Sequence, residues 1–158
     1  MMTNIERLMA VESVRVVKAR YFRALDTKDW ELLRSIFCPD VACDYRNGGT
    51  DPSTGINYVP GPTEDILRGA DMVVESLKQA LSPMVTVHIG YSADIQIDDD
   101  THASGIWGMN DILRLPGEGR PKRLFGYGFY HDTFERLSTG WGIKMLKLSR
   151  LSVDIVQS

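Results

Sequence analysis

The chain is expected to fold as an α+β domain in which a strongly curved mixed or antiparallel sheet wraps around about three N-terminal helices and encloses an apolar pocket. Three observations predict this. Up to residue 81 the apolar residues recur at spacings of three and four, whereas from Met84 onward they fall in long strand-like runs broken by turn clusters. Helices first and strands afterwards make an α+β layout rather than an alternating α/β one. At 158 residues the chain suits one domain, large enough to bury roughly two thirds of its unfolded surface and to hold a cavity without disulfides or metals.

Residues 4–25 place Ile5, Leu8, Met9, Val14, Val17, Tyr21 and Leu25 at helical spacing, which predicts an amphipathic helix with Tyr21 in its buried stripe. That helix ends at Asp26-Thr27-Lys28-Asp29. Residues 30–37 then read as a short second helix stopped by Pro39, with Trp30, Leu33 and Phe37 facing inward. A short strand is expected over 41–45. Residues 46–64 gather Gly with Pro52, Pro60 and Pro62 and predict a loop lying over a cavity. Met72, Val73, Leu77 and Leu81 set a third helix over 70–81, ended by Ser82-Pro83. Four strand-like runs follow, at 84–97, 101–115, 122–136 and 140–154. Asp98-Asp99-Asp100, Pro116-Gly117-Glu118-Gly119 and Ser138-Thr139-Gly140 separate them, so they form an antiparallel meander.

The composition is that of a globular protein, and a net charge of -3 offers no footprint for nucleic acid or an anionic membrane, so neither is expected as a partner. Met1 to Arg7 lacks the apolar core of a signal peptide, and no later window is apolar for long enough to span a bilayer. A cytoplasmic protein is the expectation. Cys38 and Cys43 flank the Pro39-Asp40 turn without companions at zinc-binding spacing and are expected to be buried free thiols.

His88 stands where the apolar run Met84-Val85-Thr86-Val87-His88-Ile89 would ordinarily carry Val or Ile. A histidine paired with a carboxylate in an apolar pocket is a proton-transfer device. Asp26 is the candidate partner. It ends a helix, where the partial negative charge of unpaired carbonyls disfavours another anion and calls for a compensating contact. The alternative is that Asp26 caps the following helix, although Asp29, just before Glu31 and Leu32, is an equally good cap. A hydrogen bond from one ring nitrogen to Asp26 would leave the other nitrogen as a base.

Tyr21 lies just over one turn before Asp26 and can reach the same cavity, where a phenol could bind a substrate oxygen. Tyr45 closes the first strand. Tyr127 and Tyr130 fall on opposite faces of the third long strand, so only one of that pair should line the pocket. Asp111 alternates with Trp107 and Met109 and points inward if they do, as a candidate acid, or it pairs with Arg114 or Lys144 at a rim. Met72, Met84, Trp107, Met109, Phe125, Phe129 and Met145 would supply the remaining apolar lining. His102 and His131 sit in polar contexts and read as structural. The three histidines are scattered, no second carboxylate accompanies His88, and no glycine-rich phosphate loop is present, so no metal or cofactor is expected.

Four segments carry a family resemblance: Tyr21-Phe22-Arg23-Ala24-Leu25-Asp26-Thr27-Lys28-Asp29-Trp30, Thr86-Val87-His88, Ile95-Gln96-Ile97-Asp98-Asp99-Asp100-Thr101-His102-Ala103, and Gly128-Phe129-Tyr130-His131-Asp132-Thr133-Phe134-Glu135-Arg136 with Gly140-Trp141. Together they resemble the SnoaL-like branch of the NTF2-like superfamily, which implies a single cone-shaped domain over 1–158. The pocket pattern is most similar to that of bile acid 7α-dehydratases, whose site falls here on Tyr21, Asp26, Tyr45, His88 and Asp111. The Asp-His pair also resembles that of scytalone dehydratases and lindane dehydrochlorinases. This chain departs from both, with no second pocket histidine in 105–111 and with Tyr21 where the dehydrochlorinases carry lysine. The resemblance implies a cofactor-independent lyase of the dehydratase type acting on a hydrophobic, steroid-like hydroxy-ketone. An isomerase or cyclase would use the same base, and the fold also hosts non-catalytic binding modules and dioxygenase small subunits. It further implies a homo-oligomer, trimer or dimer, with the outer sheet face buried between subunits.

Overall fold

The computed structural model describes residues 2–59, 65–118 and 123–156. Helices α1 (Asn4–Thr27) and α2 (Trp30–Ser35) come first, followed by strand β1 (Phe37–Asp44), the two-residue β2 (Leu67–Arg68) and helix α3 (Ala70–Leu81). The long strands are β3 (Val85–Ile97), β4 (His102–Arg114), β5 (Arg123–Leu137) and β6 (Gly140–Val156). With β1 and β2 they form one six-stranded sheet in the order β2-β1-β6-β5-β4-β3. Only β1 and β6 run parallel, so the sheet is mixed. Irregular register within β3/β4, β5/β6 and β1/β6 marks where it bends around α1, which packs on β3 and β6.

Helix α1 begins with a capping box: the Thr3 hydroxyl accepts from the Glu6 N–H while the Glu6 carboxylate accepts from the Thr3 N–H. Its buried stripe is Ala10, Val14, Val17, Lys18, Tyr21, Ala24 and Leu25. The expected stripe is therefore corrected at its start, because Ile5, Leu8 and Met9 are 71%, 69% and 65% exposed. At 3.6 residues per turn these three fall on the side of the helix away from Ala10, Val14, Val17, Tyr21 and Ala24, so the face that covers the sheet leaves them in solvent. α1 closes on Lys28 in the left-handed conformation, φ 59°, a position that costs a non-glycine residue about 1 kcal/mol. Asp29 caps α2 by accepting from the Leu32 N–H, which frees Asp26 for another task.

Helix α2 stops at Ser35, so Phe37 belongs to a strand and not, as its spacing suggested, to a helix. β1 is correspondingly longer than predicted and runs through Pro39, which is exposed within the register irregularity between Phe37 and Ala42, where a missing N–H costs no ladder bond. α3 has the predicted bounds. The 46–59 part of the expected loop lies against β6, and its residues 60–64, like the turn at Gly119 and the start of the 122–136 run, lie outside the described residues. No described helix is long and apolar enough to cross a membrane. The main core gathers the α1 stripe with Phe37, Val41, Trp107, Tyr130, Phe134, Ile143 and Leu146.

Candidate active site

Within the concave side of the sheet lies a cavity of about 480 Å³, the size of a small-molecule site. α1 lends it Tyr21 and Leu25, α3 Leu77 and Leu81, and β3 His88. Asp111 and Leu113 come from β4, Tyr130 from β5, and Leu148 and Arg150 from β6. Tyr45, Gly48, Gly49 and Val59 reach it from the segment after β1.

His88 points inward because alternation along β3 buries Thr86 and His88 while Val85, Val87 and Ile89 face outward. The end of α1 runs beneath this strand, and the two meet at Asp26. The His88 backbone N–H donates to Asp26 Oδ2 at 2.8 Å, and ring Nδ1 lies 2.7 Å from Oδ1. With a carboxylate at Oδ1 the proton sits on Nδ1, and Nε2 is left as the basic nitrogen. The Thr86 hydroxyl donates to Asp26 Oδ1 at 2.9 Å and accepts from Lys28 Nζ at 2.9 Å. Lys28 also bonds the Leu25 carbonyl at 3.1 Å, so its side chain offsets part of its backbone strain and brings a cation to the helix end where Asp26 stands.

Opposite the dyad, the hydroxyls of Tyr21 and Tyr45 lie 3.0 Å apart, with Tyr130 edge-on to Tyr21 at a centroid distance of 5.7 Å. Burial, reinforced by the neighbouring phenols, raises Tyr21 well above the usual phenol range. Burial likewise raises Tyr45, with Cys43 adding to it, and Tyr130, with Asp111 adding to it. All three therefore stay neutral hydrogen-bond donors. Cys43 beneath them is pushed up to about 12 by burial and remains a thiol, and Cys38 is buried and free as expected.

Asp111 sits across the ladder from His88 in the β3/β4 register. Its partner is Arg150 rather than Arg114 or Lys144: Nη1 donates to Oδ1 at 3.0 Å and Nη2 to Oδ2 at 2.7 Å. Arg150 Nε donates to the Gly48 carbonyl at 2.6 Å. Both side chains are nearly buried, at 5% and 4% exposure. With both carboxylate oxygens already accepting from the guanidinium, Asp111 is not placed as a proton donor, and the candidate acid role is corrected to that of Arg150's counter-ion.

The structure thus brings Tyr21, Asp26, Tyr45, His88, Asp111, Tyr130 and Met84 to one cavity or its dyad. Trp107 and Met109 do point inward, but they pack in the core beneath the cavity and do not line it. Tyr127 is on the outer face, 39% exposed against 2% for Tyr130. Met72, Phe129 and Met145 are exposed, and Phe125 borders an outer groove with Val85 and Val87. Lys144 pairs at the surface with Asp40 and Glu135. Sequence reasoning missed Arg150, whose signal was alternation with the buried Leu146 and Leu148, and the Thr86-Lys28 support of Asp26. Among the described residues no group of three or more His, Cys, Asp or Glu side chains is spaced to hold a metal ion.

Comparison with known proteins adds the family. The family model described as "SnoaL-like domain" matches residues 6–147. A probable cyclase of Gibberella zeae is 26% identical over 137 residues, covering 85% of this chain and 86% of that protein. A type 2 hexachlorocyclohexane dehydrochlorinase superposes with a TM-score of 0.77 at 16% identity, covering 99% of this chain and 95% of the other. A Novosphingobium aromaticivorans protein described as a candidate scytalone dehydratase gives 0.78 at 19% identity, covering 99% and 93%. At these identities the two structures show a shared fold.

Proposed function

Because the chain belongs to the SnoaL-like domain family, we propose that it is a cofactor-independent lyase of the dehydratase type, acting on a hydrophobic, steroid-like hydroxy-ketone. One observation carries this reading: the Asp26-His88 dyad, closed at 2.7 Å, stands on the wall of an apolar cavity that also presents neutral tyrosines. His88 Nε2 takes the proton from the carbon next to the carbonyl. The C–H electron pair moves onto the carbonyl oxygen as an enolate, and its return forms the new C=C bond as the C–O bond to the departing hydroxyl breaks. The proton gained by His88 returns to that hydroxyl, which leaves as water. Asp26 orients the ring and stabilises the imidazolium, while Tyr21, Tyr45 or Tyr130 donates to the carbonyl oxygen as it gains negative charge. Arg150, held by Asp111, shapes the wall beside His88. A dyad this tightly closed has no use in an inert binding module, which weighs against that alternative.

A second reading, cyclisation or isomerisation through the same base, is favoured by the probable cyclase among the relatives. It differs only in where the proton and electron pair go. Product analysis on a panel of hydroxy-ketones separates the two: loss of water supports the lyase, and an isomeric product of unchanged mass supports the second reading. A homo-oligomer is supported by the outer sheet face, where Val85, Val87, Ile89, Ile106, Tyr127 and Phe129 are exposed together. Further copies of this chain covering that face would make the homo-oligomer.

A further inference from the structure

The dyad leaves unused the most deeply buried charges among the described residues. The side chains of Lys18 and Asp132 are both 0% exposed, with Nζ 2.6 Å from Oδ2. Among the described residues no other polar group satisfies either of them. Lys18 lies one turn before Tyr21 on α1, and Asp132 follows Tyr130 by two residues on β5. The ammonium sits 3.8 Å from the Tyr130 ring centroid and 4.4 Å from that of Tyr21, with Phe22 and Trp107 completing the cage at 5.1 and 5.5 Å. Tyr21 and Tyr130 are also walls of the cavity, so one face of each ring meets the cation while the residue itself meets the ligand space.

Stability is a weak explanation for such a pair. Well-packed apolar side chains in place of a buried ion pair are often neutral or stabilising, and position 18 lies in a helix stripe that a leucine or methionine would fill. Burial pulls the Lys18 ammonium down and pushes the Asp132 carboxyl up, and each partner opposes the shift of the other. The arrangement is polarised: the positive end faces two aromatic rings, and the negative end meets it from β5. A phenol that donates to an oxygen gaining negative charge takes up part of that charge itself and spreads it into its ring. A cation against the ring face stabilises that spread, and does so more strongly where water is excluded.

We propose that Lys18, neutralised by Asp132, is a positioning residue for the tyrosine wall: its ammonium holds the faces of Tyr21 and Tyr130 and makes these phenols tighter binders of a substrate oxygen as that oxygen becomes negative. The proposal rests on the tyrosine side of the site receiving that oxygen, as in the function proposed above, but it does not require turnover. Absent turnover with the binding preference below intact would sink the lyase reading alone.

The test uses two probes of similar size, 4-nitrophenol, followed through its phenolate absorption band, and 4-nitroanisole, which has no ionisable oxygen. The wild-type protein should prefer the phenolate. The double variant Lys18→Met with Asp132→Asn, first shown to be folded by circular dichroism and thermal melting, should bind the phenolate about tenfold more weakly and nitroanisole unchanged. Equal loss for both probes, no loss for either, or no phenolate preference in the wild type overturns the proposal. If the double variant does not fold, the decision moves to the wild type and its Lys18 Nζ nitrogen resonance. A charged ammonium at neutral pH supports the proposal, and a neutral amine overturns it.

Discussion

Asp26 grips His88 at two points, backbone N–H on one oxygen and ring on the other, while Thr86 adds a third donor. Asn at this position has one acceptor where the native residue has two, so one of these contacts becomes a clash of donors. Asp26→Asn should therefore lower kcat by about 10²-fold or more and cost about 1–3 kcal/mol of stability, measured by steady-state kinetics and thermal melting. Gly126 has a different duty. A Cβ there would stand 2.2 Å from both Arg150 Nη1 and Asp111 Oδ1, so the missing side chain is what lets that pair close. Gly126→Ala should destabilise by about 1–3 kcal/mol and weaken ligand binding, while leaving the far side of the sheet intact in an amide hydrogen-exchange map.

Among the elements, the segment after β1 depends on one carboxylate. Asp51 accepts from the Ser53 and Thr54 N–H groups and, through Oδ2 at 2.8 Å, from the Val153 N–H of β6. These hydrogen bonds, led by that of the Ser53 hydroxyl, lower its pKa from 3.8 to about 2. A carboxylate depressed on folding stabilises the native state above its unfolded value, and that contribution is lost as the pH falls through the folded one. The latch should hold at neutral pH and open as the pH drops toward about 2, with faster exchange of the Val153 amide; Asp51→Asn should remove that acid dependence. Helix α3 was legible in its bounds because Val73, Leu77 and the proline stop agree, although Met72, expected on the same face, is exposed. α1 was legible in extent but not in phase, since Ile5, Leu8 and Met9 match the helical period as well as the buried stripe does. Only the sheet's position decides which stripe it covers. Phe37 was misread for a related reason: six residues of helix and the first residue of a strand look alike when both are buried.

For the whole molecule, the apolar outer face is the feature that an isolated chain leaves uncovered. If the proposed homo-oligomer forms through this face, Val87→Lys with Tyr127→Lys should shift its mass toward the monomer in light-scattering chromatography without altering its circular dichroism; a wild type that is already monomeric, or an unchanged mass, would contradict that assembly. Much of the site was also legible at this scale. Once helices were expected to lie inside a curved sheet, Asp26 and His88 had to approach each other, although 62 residues separate them. What sequence could not supply was depth. Trp107 and Met109 share the inward face with Asp111, yet they fall below the cavity floor, and Lys18, a charge in an apolar stripe, found its counter-ion on a strand more than a hundred residues away. The central claim is that His88 removes a proton next to a carbonyl, and solvent deuterium incorporation at that carbon tests it most directly. A ketone bound in deuterium oxide should exchange its α-proton with the wild-type protein and about 10² to 10⁴ times more slowly with His88→Ala. Equal exchange by both proteins, or no exchange by a wild type that binds the ketone, would contradict it.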